Sequence, residues 1–361
     1  MFLEAETSFG LQFLQTLPLN ESSIFSPLSI ALALSLVHAG AKGDTKSQIT
    51  NTLLKGSNDE QFTQHFSFIS DAIQNKKDGV FTNVANRVFL SKTFTAEKSY
   101  LDLVKKNYNA GAESLDFSKS DAADKINAFV RKATENKIDN LVGSDALKDA
   151  VALLVNAVYF EGEWSDNFSE FSTSDEDFST ADGKSKKTSF MKDHRSDRTY
   201  SSDDIFQVLT LEYSDTSYKF AIFLPKVKND LKNSMKKLDA ARIQKLVKDG
   251  KSTFINTEIP KFKIEKELEL KDVLMKLGIK QMFTDSADLS GIAKNIKISE
   301  GIHKAMIQIN EKGTIAAAAT GMKAVPMSLR METPVEFKAN HPFLFALLKD
   351  NHPLFLGTYQ G

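Results

Sequence analysis

The sequence predicts a single domain that mixes α-helices with β-strands. Segments with helical and with strand periodicity are interspersed along the 361 residues. No Gly/Ser/Pro-rich linker, composition break or internal repeat separates them, although length alone would suggest two or three domains. Hydrophobic residues make up 41% of the chain, which is ample for a large core. We therefore expect one interlocked domain over residues 1–361.

Helices are predicted in four places. The first 20 residues have the apolar spacing of an amphipathic helix, with Phe9, Leu11, Phe13, Leu14 and Leu17. Ser26 followed by Pro27 is a typical helix start, with a capping hydroxyl and proline in the first turn. The run 28–39 is apolar nearly all round, which indicates a buried helix. Two further helices are expected over 121–140 and 270–279.

Strands are predicted where apolar residues alternate or run continuously between turn signals. The segments are 85–91, 152–164, 207–213, 218–224, 254–264 and 302–310. Within the apolar run 152–164, Asn156 is a polar exception. If it is buried, its amide requires hydrogen-bond partners.

Residues 311–334, EKGTIAAAATGMKAVPMSLRMETP, connect the strand 302–310 to the sheet-like VEFKANHPFLFALL. About two dozen residues are too many for an ordinary hairpin, and connections this long are usually functional or disordered. The four successive alanines favour a short surface helix on propensity, and a flexible linker is a second simple interpretation.

The alternation within this stretch favours a third interpretation. Read as a strand, one face carries Thr314, Ala316, Ala318, Thr320, Met322 and Ala324, and the other carries Ile315, Ala317, Ala319, Gly321, Lys323 and Val325. The first face is small and uncharged, and the only charge lies on the second. Such a segment could enter an existing sheet without burying a charge, and Pro326 would end the run.

The sequence Glu-Lys-Gly-Thr at 311–314, followed by small residues and then Pro-Met-Ser, resembles the reactive-centre loop of a serpin. NESSIFSPLSIALALSLVHAG is similar to the serpin signature around the second helix, and further blocks match in order over nearly the whole chain. The chain most resembles the intracellular, ovalbumin-like inhibitory serpins. This resemblance implies the α+β serpin fold, with about nine helices, three β-sheets and an exposed reactive-centre loop at 311–334.

The resemblance also implies roles for individual residues. The loop hinge corresponds to Glu311, Gly313, Thr314, Ala316, Ala317, Ala318 and Ala319. The sheet-opening cluster corresponds to Ser26, Ser29, Asn156 and His303, with Trp164 at the point where insertion begins. By themselves, His303 and Trp164 would also fit as a hydrogen-bonded core histidine and a core aromatic residue. Ile315 stands where many inhibitors have Glu, but it falls on the outward face and should not block insertion.

The implied reactive bond is Met327–Ser328, since Met327 is the seventeenth residue counted from Glu311. Leu329 and Arg330 compete as bait residues, because the loop after Met327 is a residue or two longer than in some relatives. Met suits the apolar pockets of chymotrypsin-like or elastase-like proteases, whereas Arg330 would imply a trypsin-like target. Lysosomal cysteine proteases also accept apolar residues.

The mechanism that the resemblance implies is suicide inhibition of a protease. The protease forms an acyl-enzyme at the bait residue, and the cleaved loop inserts into the large sheet with the protease attached. Residues 314–327 would carry it roughly 45 Å at about 3.3 Å per residue. The alternative from another class is a non-inhibitory serpin that acts as a chaperone, carrier or storage protein. The small residues of the hinge favour the inhibitor.

Composition excludes several other functions. The 46 basic and 47 acidic residues balance, so no charge excess indicates nucleic acid or membrane as a partner. The chain has no cysteine, and its six histidines lack metal-ligand spacing, so no metal or cofactor is expected. Enzyme motifs such as Gly-x-Ser-x-Gly and His-Glu-x-x-His are absent, which argues against an enzyme.

The N-terminal segment has acidic residues where a signal peptide needs basic ones. We therefore expect a cytoplasmic monomer whose partner is the target protease, with secretion by an unconventional route left open.

Overall fold

The computed structural model describes residues 2–73, 79–314 and 332–361. Its α-helices in those ranges are α1 (Phe2–Thr16), α2 (Pro27–Gly40), α3 (Gly43–Leu53), α4 (Asp59–Ile73), α5 (Lys98–Tyr108), α6 (Ala122–Ala133), α7 (Leu231–Met235), α8 (Ala240–Lys248) and α9 (Leu270–Lys276). None of these helices is long and apolar enough to cross a bilayer.

The strands of the described residues are β1 (Ser23–Phe25), β2 (Phe81–Ser91), β3 (Gly111–Leu115), β4 (Ala152–Glu163), β5 (Ser174–Ser179), β6 (Ser185–Ser202), β7 (Phe206–Glu212), β8 (Tyr218–Pro225), β9 (Lys251–Pro260), β10 (Phe262–Glu269), β11 (Glu300–Asn310), β12 (Gly313–Thr314), β13 (Val335–Lys338), β14 (Phe343–Lys349) and β15 (His352–Tyr359). The predicted α+β class is confirmed.

Hydrogen bonding joins these strands into two sheets rather than three. The main sheet has the order β10-β11-β12-β4-β2-β3, and the other has the order β1-β15-β14-β8-β7-β6-β9-β13, with β5 added on β6. The 18-residue strand β6 pairs with β9 and, at its end, with β7. A register shift after Asp193, where Arg195 has φ +57°, turns the strand without breaking it. Because β6 is continuous, the strands on either side of this shift belong to one sheet, where three sheets in total were expected.

The main sheet is covered on both faces, which explains the continuous apolar run of β4. Its residues Leu154, Val158 and Phe160 pack into the large core with α2 and the second sheet. The alternate residues Leu153 and Val155 pack on the other face, in a smaller cluster with α6. Since successive side chains point to opposite faces, a strand buried on both sides reads as apolar throughout.

Helix α2 begins as predicted. Pro27 is in its first turn, and the Ser26 hydroxyl accepts a hydrogen bond from the backbone N–H of Ser29 at 3.1 Å. Every residue of α2 except Ala39 is buried, in agreement with its nearly uniform apolar sequence. The serine cap therefore fixes where the central helix starts beneath the main sheet.

Two predicted elements differ most from the structure. The helix expected over 121–140 ends at Ala133, because the Thr134 hydroxyl bonds to the carbonyl of Val130 and Glu135 and Asn136 have positive φ. The strand expected over 254–264 is two strands, β9 and β10, that separate at Lys261 and belong to different sheets. Local periodicity cannot show that a chain changes sheets without a turn.

Candidate functional site

The centre of the main sheet is partly open to an additional strand. Strands β11 and β4 pair in parallel from Glu300–Leu153 to Ala305–Val158 and then diverge. Strand β12 lies in the gap and pairs antiparallel with both of them, Gly313 with Glu163 and Asn310, and Thr314 with Gly162 and Ile309. The predicted loop hinge has thus already begun to enter the sheet in the intact chain.

Thr314 faces inward, as the alternation predicted. It is fully buried, and its hydroxyl lies 2.6 Å from the hydroxyl of Tyr213. The Tyr213 ring stacks on Trp164 with 4.5 Å between ring centroids. Burial raises the pKa of the Tyr213 phenol, so the hydroxyl stays neutral and can share its hydrogen with Thr314. The first inward residue of the loop is therefore specifically hydrogen-bonded inside the sheet.

Gly313 is required by the close approach of β12 to β4. Its φ is +147°, and a Cβ at this position would lie 2.0 Å from the carbonyl oxygen of Gly162. On the facing strand, a Cβ on Gly162 would lie 2.8 Å from the Tyr213 ring. Glycine is needed where two backbones meet this closely. The two glycines therefore make room for the first residues of the loop.

Glu311, immediately before β12, is held by three other segments. Its carboxylate accepts hydrogen bonds from Lys261 Nζ at 2.9 Å and from the Thr173 hydroxyl at 2.7 Å. Its carbonyl accepts the backbone N–H of Phe168 at 2.9 Å. Burial opposes ionisation of Glu311, but the bonds from Lys261 and Thr173 prevail and lower its pKa. An anionic carboxylate therefore anchors the base of the loop.

Trp164 lies where β11 turns into β12. Its indole Nε1 donates to the carbonyl of Asn310 at 2.9 Å, and its backbone N–H donates to the carbonyl of Lys312 at 2.9 Å. The side-chain oxygen of Asn310 accepts the backbone N–H groups of Lys312 and Gly313. This places Trp164 at the entry point of the gap, apart from the polar cluster with which it was grouped.

The other four predicted residues form one buried network below the gap. The backbone N–H of Ser26 donates to His303 Nε2 at 3.0 Å, and His303 Nδ1 contacts the Asn156 side-chain oxygen. The Asn156 amide donates to the carbonyl of Ser29 at 3.0 Å and also contacts the side chain of Asn86. Because Nε2 accepts, the ring carries its proton on Nδ1, and burial lowers the pKa of His303 to about 3. The imidazole is neutral.

This network bridges β11 and β4, below the point where β12 lies between them. His303 on β11 and Asn156 on β4 are direct partners in the parallel register. Asn86 on β2 and the start of α2 complete the connections. The network therefore holds the lower half of the sheet together, and its predicted role in sheet opening stays a prediction.

Sequence reasoning missed several residues of this site, among them Asn86, Thr173, Tyr213 and Lys261. Asn86 gave a signal, since it is polar inside a predicted strand, as Asn156 is. Thr173, Tyr213 and Lys261 gave none, because each is far along the chain from the residue it contacts. Such contacts are decided by tertiary packing.

Some predicted residues lie outside the described ranges, so their roles stay predictions. They are Ile315, Ala316, Ala317, Ala318, Ala319, Met327, Ser328, Leu329 and Arg330. Within residues 2–73, 79–314 and 332–361, no group of three His, Asp or Glu side chains could hold a metal ion.

Comparison with known proteins gives one consistent result. The family model described as "Serpin (serine protease inhibitor)" matches residues 4–360. Iris from Ixodes ricinus is 35% identical over 347 residues, which cover 93% of this chain and 91% of Iris. Antichymotrypsin-2 from Bombyx mori is 32% identical over 347 residues, covering 94% and 92%. The crystal structure of uncleaved ovalbumin superposes with a TM-score of 0.90 at 25% identity, covering 100% of this chain and 99% of that one.

Proposed function

Because the chain belongs to the serpin (serine protease inhibitor) family, we propose that it is a suicide-substrate inhibitor of chymotrypsin-like or elastase-like serine proteases. The observation that carries the proposal is β12, seated between β11 and β4 and antiparallel to both. Two parallel neighbours that diverge at one end can accept a strand antiparallel to each of them. The hinge lies at the mouth of that gap.

In the proposed reaction, the protease serine oxygen attacks the carbonyl carbon of Met327. The Met327–Ser328 amide bond breaks, an ester to the protease forms, and the Ser328 amine leaves with the proton that the protease base took from its serine. The loop from Thr314 onward then extends β12 through the sheet. Distortion of the attached protease stops hydrolysis of the ester, since misplacement by ~1 Å is costly to catalysis.

Extension of β12 must separate the six parallel residue pairs from Ala305–Val158 to Glu300–Leu153. The His303–Asn156 contact lies in the middle of this pairing. Each residue that enters replaces one strand-to-strand contact with two, because the new strand has a partner on both sides. Loss of the polar network is therefore offset by new ladder hydrogen bonds, each worth about 0.5–1.5 kcal/mol net.

The proposed protease class rests on the bait residue. Met327 is long, unbranched and apolar, which suits the pockets of chymotrypsin-like and elastase-like enzymes. The name of the relative Antichymotrypsin-2 supports the same class. Arg330 is the competing bait residue, and it would instead direct the protein to a trypsin-like enzyme.

The test is incubation with chymotrypsin, pancreatic elastase, trypsin and cathepsin L, followed by denaturing electrophoresis and mass spectrometry. We expect an SDS-stable complex with chymotrypsin or elastase, and a released peptide that begins at Ser328. A peptide that begins at Met331 would assign Arg330 as the bait. Cleavage by all four proteases without any complex would establish a non-inhibitory serpin.

A further inference from the structure

Phe171 is the most exposed large apolar side chain of the described residues. It is 96% exposed, compared with 70% for Phe68, 64% for Val227 and 39% for Leu103. It lies in the middle of a single 3-10 turn, Glu170–Ser172, that connects the end of β4 to β5. An isolated exposed apolar residue is ordinary, so its significance depends on its position.

The turn that carries Phe171 is fixed to the base of the loop on both sides. Upstream, the Phe168 N–H donates to the carbonyl of Glu311, and downstream the Thr173 hydroxyl donates to its carboxylate. Lys312 Nζ lies 3.5 Å from the carboxylate of Glu170. The Phe171 ring is thus presented to solvent on an anchored backbone, within three residues of each of these contacts.

The chain returns from the loop to the sheet that also contains β5. After residue 331 it enters β13, which pairs with β9, and β9 pairs with β6. Strand β5, which starts two residues after the turn, pairs with β6 at Ser174–Phe190, and Phe190 pairs with Pro260 of β9. The loop therefore begins beside the segment that carries Phe171, and it returns to the same sheet at β13, which β6 and β9 separate from β5.

We propose that Phe171 is an anchor for the target protease outside the reactive bond, buried when the protease docks on the loop. This inference rests on the proposed function. The partner that fits is a protease with an apolar patch beside its active-site cleft. An aromatic side chain on an anchored backbone has only its own torsions to order on binding, and aromatic residues contribute much of the binding energy at interfaces.

The anchor would act in the encounter complex, before the acyl-enzyme forms. Its loss weakens that complex and lowers the second-order rate constant of inhibition. It leaves the partition between trapping and hydrolysis unchanged, because that partition is decided later by loop insertion. The rate constant of inhibition therefore reports on docking, and the stoichiometry of inhibition reports on loop insertion.

The experiment uses whichever protease forms the SDS-stable complex and compares four forms of the full chain. These are the unmodified protein, Phe171→Ser, Phe171→Leu and the control Phe68→Ser, which removes an exposed phenylalanine from α4, a helix packed on α2 and α5. We expect Phe171→Ser to lower the rate constant about tenfold at unchanged stoichiometry. Phe171→Leu should recover most of the loss, and Phe68→Ser should change neither quantity.

Equal rate constants for Phe171→Ser and the unmodified protein would overturn the anchor and leave the inhibitor proposal standing. A rise in stoichiometry for Phe171→Ser would also overturn it, by assigning the residue to loop insertion. Self-association of the unmodified protein in sedimentation velocity, lost in Phe171→Ser, would show that a second copy covers the ring instead. If the unmodified protein traps no protease, both proposals fail.

Discussion

Replacement of Thr314 by arginine should convert the inhibitor into a substrate. Thr314 is fully buried between β11 and β4, and its hydroxyl is bonded to Tyr213. An arginine in the same strand register would place a guanidinium in that buried position without a carboxylate partner. In the intact chain, the two residues of β12 can withdraw from the sheet and relieve this cost. After cleavage, insertion of the loop cannot proceed while they stay out.

Two contributions set the magnitude. An unpaired charge in the interior costs several kcal/mol after relaxation. A Tyr213 hydroxyl left without a partner adds about 1–3 kcal/mol. Each 1.4 kcal/mol added to a barrier slows the step by a factor of about ten. If half of this sum raises the barrier to insertion, insertion slows by at least tenfold, and if the whole sum does, it slows by more than a hundredfold. Hydrolysis of the acyl-enzyme then competes successfully.

The assay is titration of active protease with the variant, combined with denaturing electrophoresis. We expect the stoichiometry of inhibition to rise above about ten, with cleaved serpin and active protease as products. The intact protein should lose only the stability that the two residues of β12 contribute, about 1–2 kcal/mol. Thr314→Ser is the control, since it keeps the hydroxyl and loses one methyl group, worth ~0.8 kcal/mol. Unchanged stoichiometry for Thr314→Arg would show that the assigned strand register is wrong.

Three further predictions concern the same region. Gly313→Ala should expel β12, lower the free energy of unfolding by about 1–2 kcal/mol and speed limited proteolysis near residue 314. The control is Gly183→Ala, which is also at positive φ but has free space around it, and it should leave that proteolysis unchanged. His303 is neutral and buried, with its pKa lowered to about 3, so the stability it contributes is complete above pH 6.5 and is lost as pH falls toward 3, at up to ~1.4 kcal/mol per pH unit. When the free energy of unfolding in urea is measured between pH 7 and 4.5, its slope against pH should be smaller for His303→Gln, and equal slopes would contradict the assigned protonation. Cleavage within the loop should raise the melting temperature, because an inserted strand adds ladder hydrogen bonds on both sides, and an unchanged midpoint would favour a non-inhibitory serpin.

The sequence by itself determined the elements whose patterns are set by local chemistry. The capping serine and the proline that follows it fix the start of α2. Period-two alternation fixed the inward direction of Thr314, since that direction depends only on strand geometry. The polar exception Asn156 in an apolar run predicted a buried hydrogen-bonded site. Three of the four residues that the resemblance assigned with it, Ser26, Ser29 and His303, lie in one network with it.

Only the tertiary structure decided how these elements meet. It showed that Gly313 and Thr314 are already inside the sheet, because the fit depends on Gly162 and Tyr213 of other strands. It also showed that Lys261 separates two strands of different sheets while its side chain holds Glu311. Contacts between residues 50 or 100 positions apart leave no local periodicity, since they depend on the path of the whole chain. The sequence therefore predicted which segment can enter the sheet, and the fold determined that its first residues, Gly313 and Thr314, lie between β11 and β4.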